Sequence, residues 1–303
     1  MKKILFSVML LCSSSIGFAQ IFNVSSIEKV NLPEGTAVYQ TTISPQGDYL
    51  LISDLNKEGL AQLDLSTGSV KTITTAPGSS FDVRISQDGK TVIFRESQVG
   101  KDKLKKVSLK SYNVTTGETK TLVKATRHLQ GVEVKERTVF AVDKGKLTRK
   151  ALMNIKPAEH PVLSIEYGQL MITRNGKTSV LSPNGQQGAS YLWPSISPDG
   201  TKVLYYLATK GAYTCDLNGQ NIQHLGFIRA PKWYNNDIVV GMNDRDNGEY
   251  VTSSSVIAIT ADGKTKQVLT SAEQIAMYPS ASESSQKISF STPQGETYII
   301  HVK

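Results

Sequence analysis

A five-residue turn followed by a short apolar run recurs along the chain. The turn occupies Ile43–Gly47 (Ile-Ser-Pro-Gln-Gly), Ile85–Gly89 (Ile-Ser-Gln-Asp-Gly) and Ile196–Gly200 (Ile-Ser-Pro-Asp-Gly). In the last copy, Pro presets φ at the second position of a type I turn, Asp tolerates the third position and Gly takes the fourth. Each turn leads into a run rich in β-branched and aromatic residues, such as Val203–Tyr206. The pattern therefore predicts repeated β-hairpins.

Further copies extend the pattern over most of the chain. Ala281–Ser285 keeps the spacing of the turn without its glycine, and three more apolar runs lack the turn: Val139–Val142, Leu170–Thr173 and Ile238–Gly241. Counting one such strand per unit predicts seven units. Six units remain the alternative, because the two units between residues 130 and 190 lack the turn and would give six if they merged.

Each unit continues with a third strand, a polar turn and a fourth strand. Leu63–Gly68 precedes Val70–Ile73, and Cys215–Gly219 precedes Ile222–Leu225. No long segment shows helical periodicity, so the fold class is all-β. Four-stranded antiparallel units repeated at this spacing predict a β-propeller. The last unit stops after its third strand, Thr297–Val302. We expect an N-terminal strand at Ser26–Leu32 to complete that blade and close the ring.

These motifs support a resemblance to a known family. The Ile-Ser-Pro-Asp-Gly turn, the apolar strand after it and the Asp-Leu-Asn-Gly turn resemble the WD40-like (PD40) repeats of TolB-type propellers. Similar repeats occur in the propeller domains of prolyl oligopeptidases and dipeptidyl peptidase IV. The layout also resembles exported propellers of the Bacteroidetes. The resemblance implies the fold and an envelope location, and it says much less about activity.

The N-terminus predicts export. Lys2 and Lys3 precede an apolar run too short to span a bilayer, and Gly17-Phe18-Ala19 offers small residues for a signal peptidase. We therefore predict a signal peptide at 1–19 and a single propeller domain at 20–303. A lipoprotein signal at Cys12 is the alternative, although Leu11 stands where a small residue is wanted. The protein is then periplasmic, on the cell surface or secreted.

Charge and cysteine content limit the partners. Without Lys2 and Lys3 the formal net charge falls from +8 to +6. Lys101–Lys106 is the densest basic segment, read as a solvated loop or as a site for an anionic partner. Nucleic acid is not expected, because no basic and aromatic platform is present. Cys215 is the one cysteine after residue 19, so no disulfide forms within 20–303, and a buried thiol on a strand is expected.

The sequence offers little catalytic chemistry. It contains no Gly-x-Ser-x-Gly nucleophile elbow and no α/β-hydrolase region. The four histidines fall in different units without metal-ligand spacing, so no cofactor is predicted. A possible Ca²⁺ site is the acidic segment with Asp244, Asp246 and Glu249, although Arg245 lies among them and Gly248 comes one residue early. The alternative is a plain turn between two strands.

Aromatic residues before the first turn of several units are the candidate binding residues. Trp193 and Tyr278 hold equivalent places in the repeat, Gln40 and Asp82 match them in two other units, and Trp233 lies near the equivalent place in another. Aromatic groups around a polar channel mouth suit recognition of a protein or a carbohydrate. Packing between neighbouring blades is the competing interpretation.

We therefore expect an exported, non-enzymatic propeller that recognises or scaffolds a protein of the periplasm or cell envelope. The alternative is an enzyme or binder that acts on glycans or peptides at the channel mouth.

Overall fold

The computed structural model describes residues 20–152, 159–185 and 189–303. Seven antiparallel sheets form the blades of a β-propeller, as the sequence predicts. The signal peptide predicted at 1–19 lies outside the described residues.

The strands are grouped by blade in chain order. The N-terminal strand is β1 (Val24–Lys29). Blade 1 contains β2 (Thr41–Ile43), β3 (Tyr49–Ile52), β4 (Glu58–Asp64) and β5 (Val70–Pro77). Blade 2 contains β6 (Arg84–Ile85), β7 (Thr91–Val99), β8 (Lys105–Asn113) and β9 (Thr119–Thr126). Blade 3 contains β10 (Leu129–Lys135), β11 (Thr138–Asp143) and β12 (Lys146–Ala151). Blade 4 contains β13 (Val162–Glu166), β14 (Gln169–Arg174) and β15 (Lys177–Val180).

The second half of the ring follows the same plan. Blade 5 contains β16 (Tyr191–Ile196), β17 (Lys202–Leu207), β18 (Gly211–Asp216) and β19 (Gln223–Gly226). Blade 6 contains β20 (Arg229–Trp233), β21 (Ile238–Asp246), β22 (Val251–Thr260) and β23 (Lys266–Val268). Blade 7 contains β24 (Met277–Ser282), β25 (Lys287–Ser291), β26 (Thr297–Val302) and, as its outer strand, β1. A short 3₁₀ helix, Ala272–Gln274, precedes blade 7.

The prediction of seven blades is confirmed, including the units that lack the turn. Blades 3 and 4 show three strands each within the described residues. Residues 153–158 and 186–188, which follow their third strands, lie outside those residues. The part of the chain that the structure describes contains no helix long and apolar enough to cross a membrane.

Closure of the ring by the N-terminal strand is also confirmed. Strand β1 pairs antiparallel with β26, from Val24 opposite Val302 to Lys29 opposite Tyr298. Asn23 and Lys303 exchange two backbone hydrogen bonds of 2.9 Å. The outer edge of β26 is therefore covered by the chain's own N-terminal segment.

The recurring turn stabilises each hairpin through its serine. In blade 5 the Ser197 Oγ accepts hydrogen bonds from the backbone N–H groups of Thr201 at 3.2 Å and Lys202 at 2.9 Å. The Gly200 N–H donates to the Ser197 carbonyl at 2.8 Å, and Gly200 has a φ of 79° that favours glycine. The turn is thus a structural device, because its polar groups are satisfied within the hairpin.

Antiparallel connectivity defines two faces of the ring. In each blade, the loop that leads into the first strand and the loop between the second and third strands lie on one face, here called the upper face. The loops between strands 1 and 2 and between strands 3 and 4 lie on the lower face. First strands of neighbouring blades contact one another, as β2 does β24 and β20 does β24, so they line the central channel.

Candidate recognition surface and central channel

A β-bulge in the first strand fixes the residues predicted at the channel mouth. The register of β16 shifts between Leu192 and Ser195, and the register of β24 shifts between Met277 and Ser280. Trp193 and Tyr278 lie in these bulges with φ of 47° and 49°. Asp82 has a similar φ of 55° at the matching place in blade 2. A left-handed conformation is costly for a bulky residue, and bulges redirect side chains. The equivalence read from the sequence therefore has a physical basis.

Trp193 and Tyr278 are half-buried and pack between blades. The Trp193 ring meets the Tyr206 ring edge-on at 5.3 Å, and Trp193 also packs on the cluster of Ala230, Met242 and Met277. The Tyr278 hydroxyl lies 2.5 Å from the Tyr39 hydroxyl of blade 1. Burial, followed by this hydrogen bond, raises the pKa of Tyr278. Both aromatic residues thus have packing partners in the folded chain.

The polar residues at the equivalent places also bridge blades. The Gln40 amide donates to the Ser80 carbonyl at 2.9 Å. Asp82 accepts from Arg84 at 2.5 Å and from Arg95 at 3.1 Å. Arg95 in turn donates to the Gln130 carbonyl of blade 3 at 2.8 Å. These side chains tie blade 1 to blade 2 and blade 2 to blade 3.

Trp233 lies further along its strand than the equivalence to Trp193 requires. The bulge of β20 falls between Arg229 and Lys232, and Ala230, with a φ of 47°, occupies the place of Trp193. Trp233 is half-buried against the core between blades 5 and 6. The equivalent place itself belongs to Ala230, whose short side chain gives no aromatic signal at the bulge.

The upper face gathers exposed apolar side chains. Of the 14 exposed large hydrophobic residues in the described part of the chain, seven fall in upper-face loops or at the ends of the strands that meet there. These seven, the upper-face apolar set, are Leu55, Phe81, Val99, Leu104, Leu192, Phe227 and Tyr250. Five others lie on outer strands or beside them. Phe81 and Phe227 are 66% and 62% exposed. These exposed side chains are candidate contacts for a partner at the upper face.

Two long hairpins carry opposite charges above this face. The β7–β8 hairpin of blade 2 ends in the basic segment Lys101–Lys106, in which Asp102 pairs with Lys106 at 2.9 Å. The β21–β22 hairpin of blade 6 carries Asp244, Asp246 and Glu249. Long-range fields from such segments guide the approach of a charged partner.

The acidic hairpin is arranged around an arginine. Arg229 Nη1 lies 2.6 Å from Asp244 and 3.6 Å from Asp246. Asp244 is almost fully buried, and burial raises its pKa despite Arg229. Within the described ranges no group of three His, Cys, Asp or Glu residues is placed to hold a metal ion. The Ca²⁺ site at Asp244, Asp246 and Glu249 stays a prediction, with Arg229 already serving two of its carboxylates.

The central channel holds a cluster of charges that the sequence pattern does not reveal. Arg84 contacts Asp82 and lies 3.4 Å from Glu133 of blade 3. Lys232 of blade 6 is within electrostatic reach of this cluster: burial and the charge of Arg84 lower its pKa, while Asp82 and Glu133 oppose that change. Burial disfavours the Arg84 cation, but Asp82 and Glu133 outweigh it and raise its pKa. The first strands of blades 2 and 6 therefore each bring a cation to the channel wall.

The pairing register between first and second strands distinguishes these channel residues from their equivalents in other blades. Arg84 pairs with Ile93 and Lys232 with Val240, each two residues after the left-handed residue of its blade, Asp82 or Ala230. The same register position holds Thr42 in blade 1, Ser195 in blade 5 and Ser280 in blade 7. Charged residues at a place otherwise held by hydroxyl side chains mark a local departure from the repeat.

The lower face offers a groove between two neighbouring blades. It has a volume of about 630 Å³ and lies between blades 5 and 6, with Cys215, Asp216 and Thr260 in its lining. Cys215 is buried on β18, and burial raises the pKa of its thiol to about 12. A thiol that stays protonated at neutral pH is a structural residue, as the sequence predicts.

Comparison with known proteins supports the fold. No protein-family model matches the sequence, and no curated protein does. Among solved structures, TolB from Acinetobacter baumannii has a TM-score of 0.52 and 15% identity, covering 81% of this chain and 57% of that protein. The chain thus spans little more than half the length of that TolB.

Two further structures match over nearly their whole length. A protein assigned as TolB from Agrobacterium tumefaciens has a TM-score of 0.52 and 14% identity, with 88% of this chain and 91% of that chain covered. U3-55K has a TM-score of 0.58 and 8% identity, with 91% and 98% covered. At these identities the likeness concerns the fold. The resemblance to TolB-type propellers is therefore confirmed at the level of a shared β-propeller architecture.

Proposed function

We propose that this protein is an exported, non-enzymatic propeller that recognises a protein of the periplasm or cell envelope through its upper face. The observation that carries the proposal is the upper-face apolar set, which shares that face with two hairpins of opposite charge. The ring would present these loops in a fixed arrangement, which reduces the entropy lost on binding. The likeness to TolB structures is consistent with such a role but extends only to the fold.

The test compares two faces of the same molecule. The full-length protein is expressed in its host and affinity-captured from the envelope fraction. The mass of the captured protein shows whether residues 1–19 are removed. The double variant Phe81→Ser/Phe227→Ser alters the upper face. Tyr167→Ser is the matched control, because Tyr167 is fully exposed on the lower-face turn of blade 4.

We expect the double variant to recover at least tenfold less of a co-captured protein than the unaltered protein does. Tyr167→Ser should recover as much of it as the unaltered protein. If the unaltered protein, the double variant and Tyr167→Ser all recovered the same amount of the co-captured protein, recognition through the upper face would be contradicted. Retention of residues 1–19 would contradict export through a cleaved signal.

The second candidate function uses the channel instead of the rim. An enzyme or binder acting on glycans or peptides at the channel mouth is favoured by one observation, the charge cluster of Asp82, Arg84, Glu133 and Lys232. Proteins that bind small ligands commonly place a few polar groups in such a concave site.

A further inference from the structure

Two hairpins rise from the upper face to the same height. Strands β7 and β21 have nine residues each, whereas the second strands of the other five blades have four to six. In the pairing register, Leu207 at the end of β17 corresponds to Glu96 of blade 2 and Asn243 of blade 6. Strands β7 and β21 each continue three residues beyond that level, to Val99 and Asp246. Both tips therefore stand roughly 10 Å above the corresponding turn of blade 5.

The β7–β8 hairpin, here called the basic hairpin, presents positive charge that the fold does not neutralise. The ammonium of Lys106 is paired with Asp102 at 2.9 Å. Lys101, Lys103 and Lys105 are exposed, and none of them forms an ion pair with a carboxylate in the described part of the chain. The tip of this hairpin therefore carries three positive charges that are open to a partner.

The β21–β22 hairpin, here called the acidic hairpin, presents the opposite charge. Asp244 is almost fully buried and is neutralised by Arg229, which lies 2.6 Å away. Asp246 is half-exposed and Glu249 is exposed at the tip. These two carboxylates outnumber the single guanidinium of Arg245, which is also exposed. The tip of the acidic hairpin therefore remains negative.

A second copy of the chain matches this arrangement. Blades 1 and 7 are neighbours, so blade 4 is two steps around the ring from blade 2 and two steps from blade 6. A two-fold axis that lies in the plane of the upper face and passes through blade 4 exchanges these two blades between two copies. When two upper faces meet about this axis, the basic hairpin of each copy lies opposite the acidic hairpin of the other. Such a self-complementary contact is closed by its own symmetry.

We propose that two copies of this protein associate face to face through these hairpins. Because the two tips have the same height, both contacts form together. The exposed side chains of Leu104 on the basic hairpin and Tyr250 on the acidic hairpin add apolar area to each contact. The inference rests on the proposed function, since it assigns recognition to the upper face and names a second copy as a protein that this face recognises.

The experiment is sedimentation velocity of the purified full chain over a range of protein concentrations, at low and at high ionic strength. Two variants each reverse the charge of one hairpin. The basic-hairpin variant is Lys103→Glu/Lys105→Glu, and the acidic-hairpin variant is Asp246→Lys/Glu249→Lys. Circular dichroism shows whether each variant is folded.

The control makes the same change of charge away from the upper face. It is Lys90→Glu/Lys266→Glu, because Lys90 is exposed on the lower-face turn of blade 2 and Lys266 is exposed on the outer strand of blade 6. We expect this control to associate like the unaltered protein.

We expect the unaltered protein to dimerise at low ionic strength and to dissociate as salt is added, because salt screens exposed charges. Each hairpin variant alone should dimerise at least tenfold more weakly, because like charges then meet at both contacts. One variant is acidic on both hairpins and the other is basic on both. An equimolar mixture of the two should therefore form a 1:1 heterodimer, and a chain that carries both reversals should dimerise again.

Three results would overturn the proposal. They are a monomer at every concentration, a dimer that both hairpin variants leave unchanged, and a mixture of the two variants that stays monomeric. None of them would contradict recognition of a different envelope protein, which the capture experiment with Phe81→Ser/Phe227→Ser tests separately.

Discussion

Closure of the ring makes the N-terminal segment part of the folding unit, and Phe22 is the residue on which this can be tested. Its side chain is 4% exposed and packs in the core between blades 6 and 7, with its ring 4.6 Å from that of Tyr234. Gln267 fixes the backbone around it. The Gln267 Oε1 accepts from the N–H groups of Ile21 and Phe22 at 2.8 Å, and Gln267 Nε2 donates to the Phe22 carbonyl.

The expected cost of Phe22→Ala follows from these contacts. Truncating a buried phenylalanine typically costs 3–5 kcal/mol, and we take about 3 kcal/mol, the lower end of that range. For a domain of this size each kcal/mol lowers the Tm by roughly 2–4 °C, so the Tm should fall by about 6–12 °C. The assay is thermal and denaturant unfolding followed by circular dichroism.

Ile27→Ala is the matched control on the same segment. Ile27 lies on β1 opposite Ile300 but is 39% exposed, so its truncation should cost less than about 1 kcal/mol. If Phe22→Ala lowered the Tm no more than Ile27→Ala, the N-terminal segment would not belong to the cooperative unit. Deleting residues 20–33 should have a larger effect, because it leaves β26 as an open edge that favours self-association.

Two further predictions concern carboxylates in turns and hairpins. Hydrogen bonds from the Ser66 hydroxyl and from Thr67 lower the pKa of Asp64 to about 2, so its carboxylate stabilises the folded state above pH 4 and this contribution is lost as the pH falls towards 2. An NMR titration should give Asp64 a midpoint near 2, and a midpoint at its ordinary value of 3.8 would contradict the turn geometry. Because Arg229 contacts Asp244 and Asp246, EDTA should leave the Tm unchanged; a lower Tm reversed by Ca²⁺ would instead support the calcium site.

Most of the fold could be predicted because each blade is a local unit. The second strands are apolar, and their neighbours are reached through short turns, so the pattern of Tyr49–Ile52 or Val203–Leu207 suffices to place them. Even Leu170 and its neighbours, without the turn, fall on a second strand. Closure of the ring could also be predicted, because the last blade lacks a fourth strand and the N-terminal segment supplies it.

The candidate sites were less accessible to sequence reasoning, because they depend on contacts between distant blades. The pairing of Tyr39 with Tyr278 joins the first and last blades. The bulge that holds Trp193 in a left-handed conformation is a property of strand register. The placement of Arg84 and Lys232 on the channel wall depends on which strands the ring brings to its axis.

Departures from the repeat locate the functional candidates. Residues that follow the repeat, such as Ser197 in its turn, serve the hairpin in which they lie. Blades 2 and 6 depart from it twice: each extends the hairpin between its second and third strands, and each places a cation, Arg84 or Lys232, where blades 1, 5 and 7 carry a hydroxyl. The fold needs neither feature, because the other blades form without them. Natural proteins depart from local sequence–structure rules mainly at functional sites. The long upper-face hairpins and the channel cations of these two blades are therefore where binding should be sought.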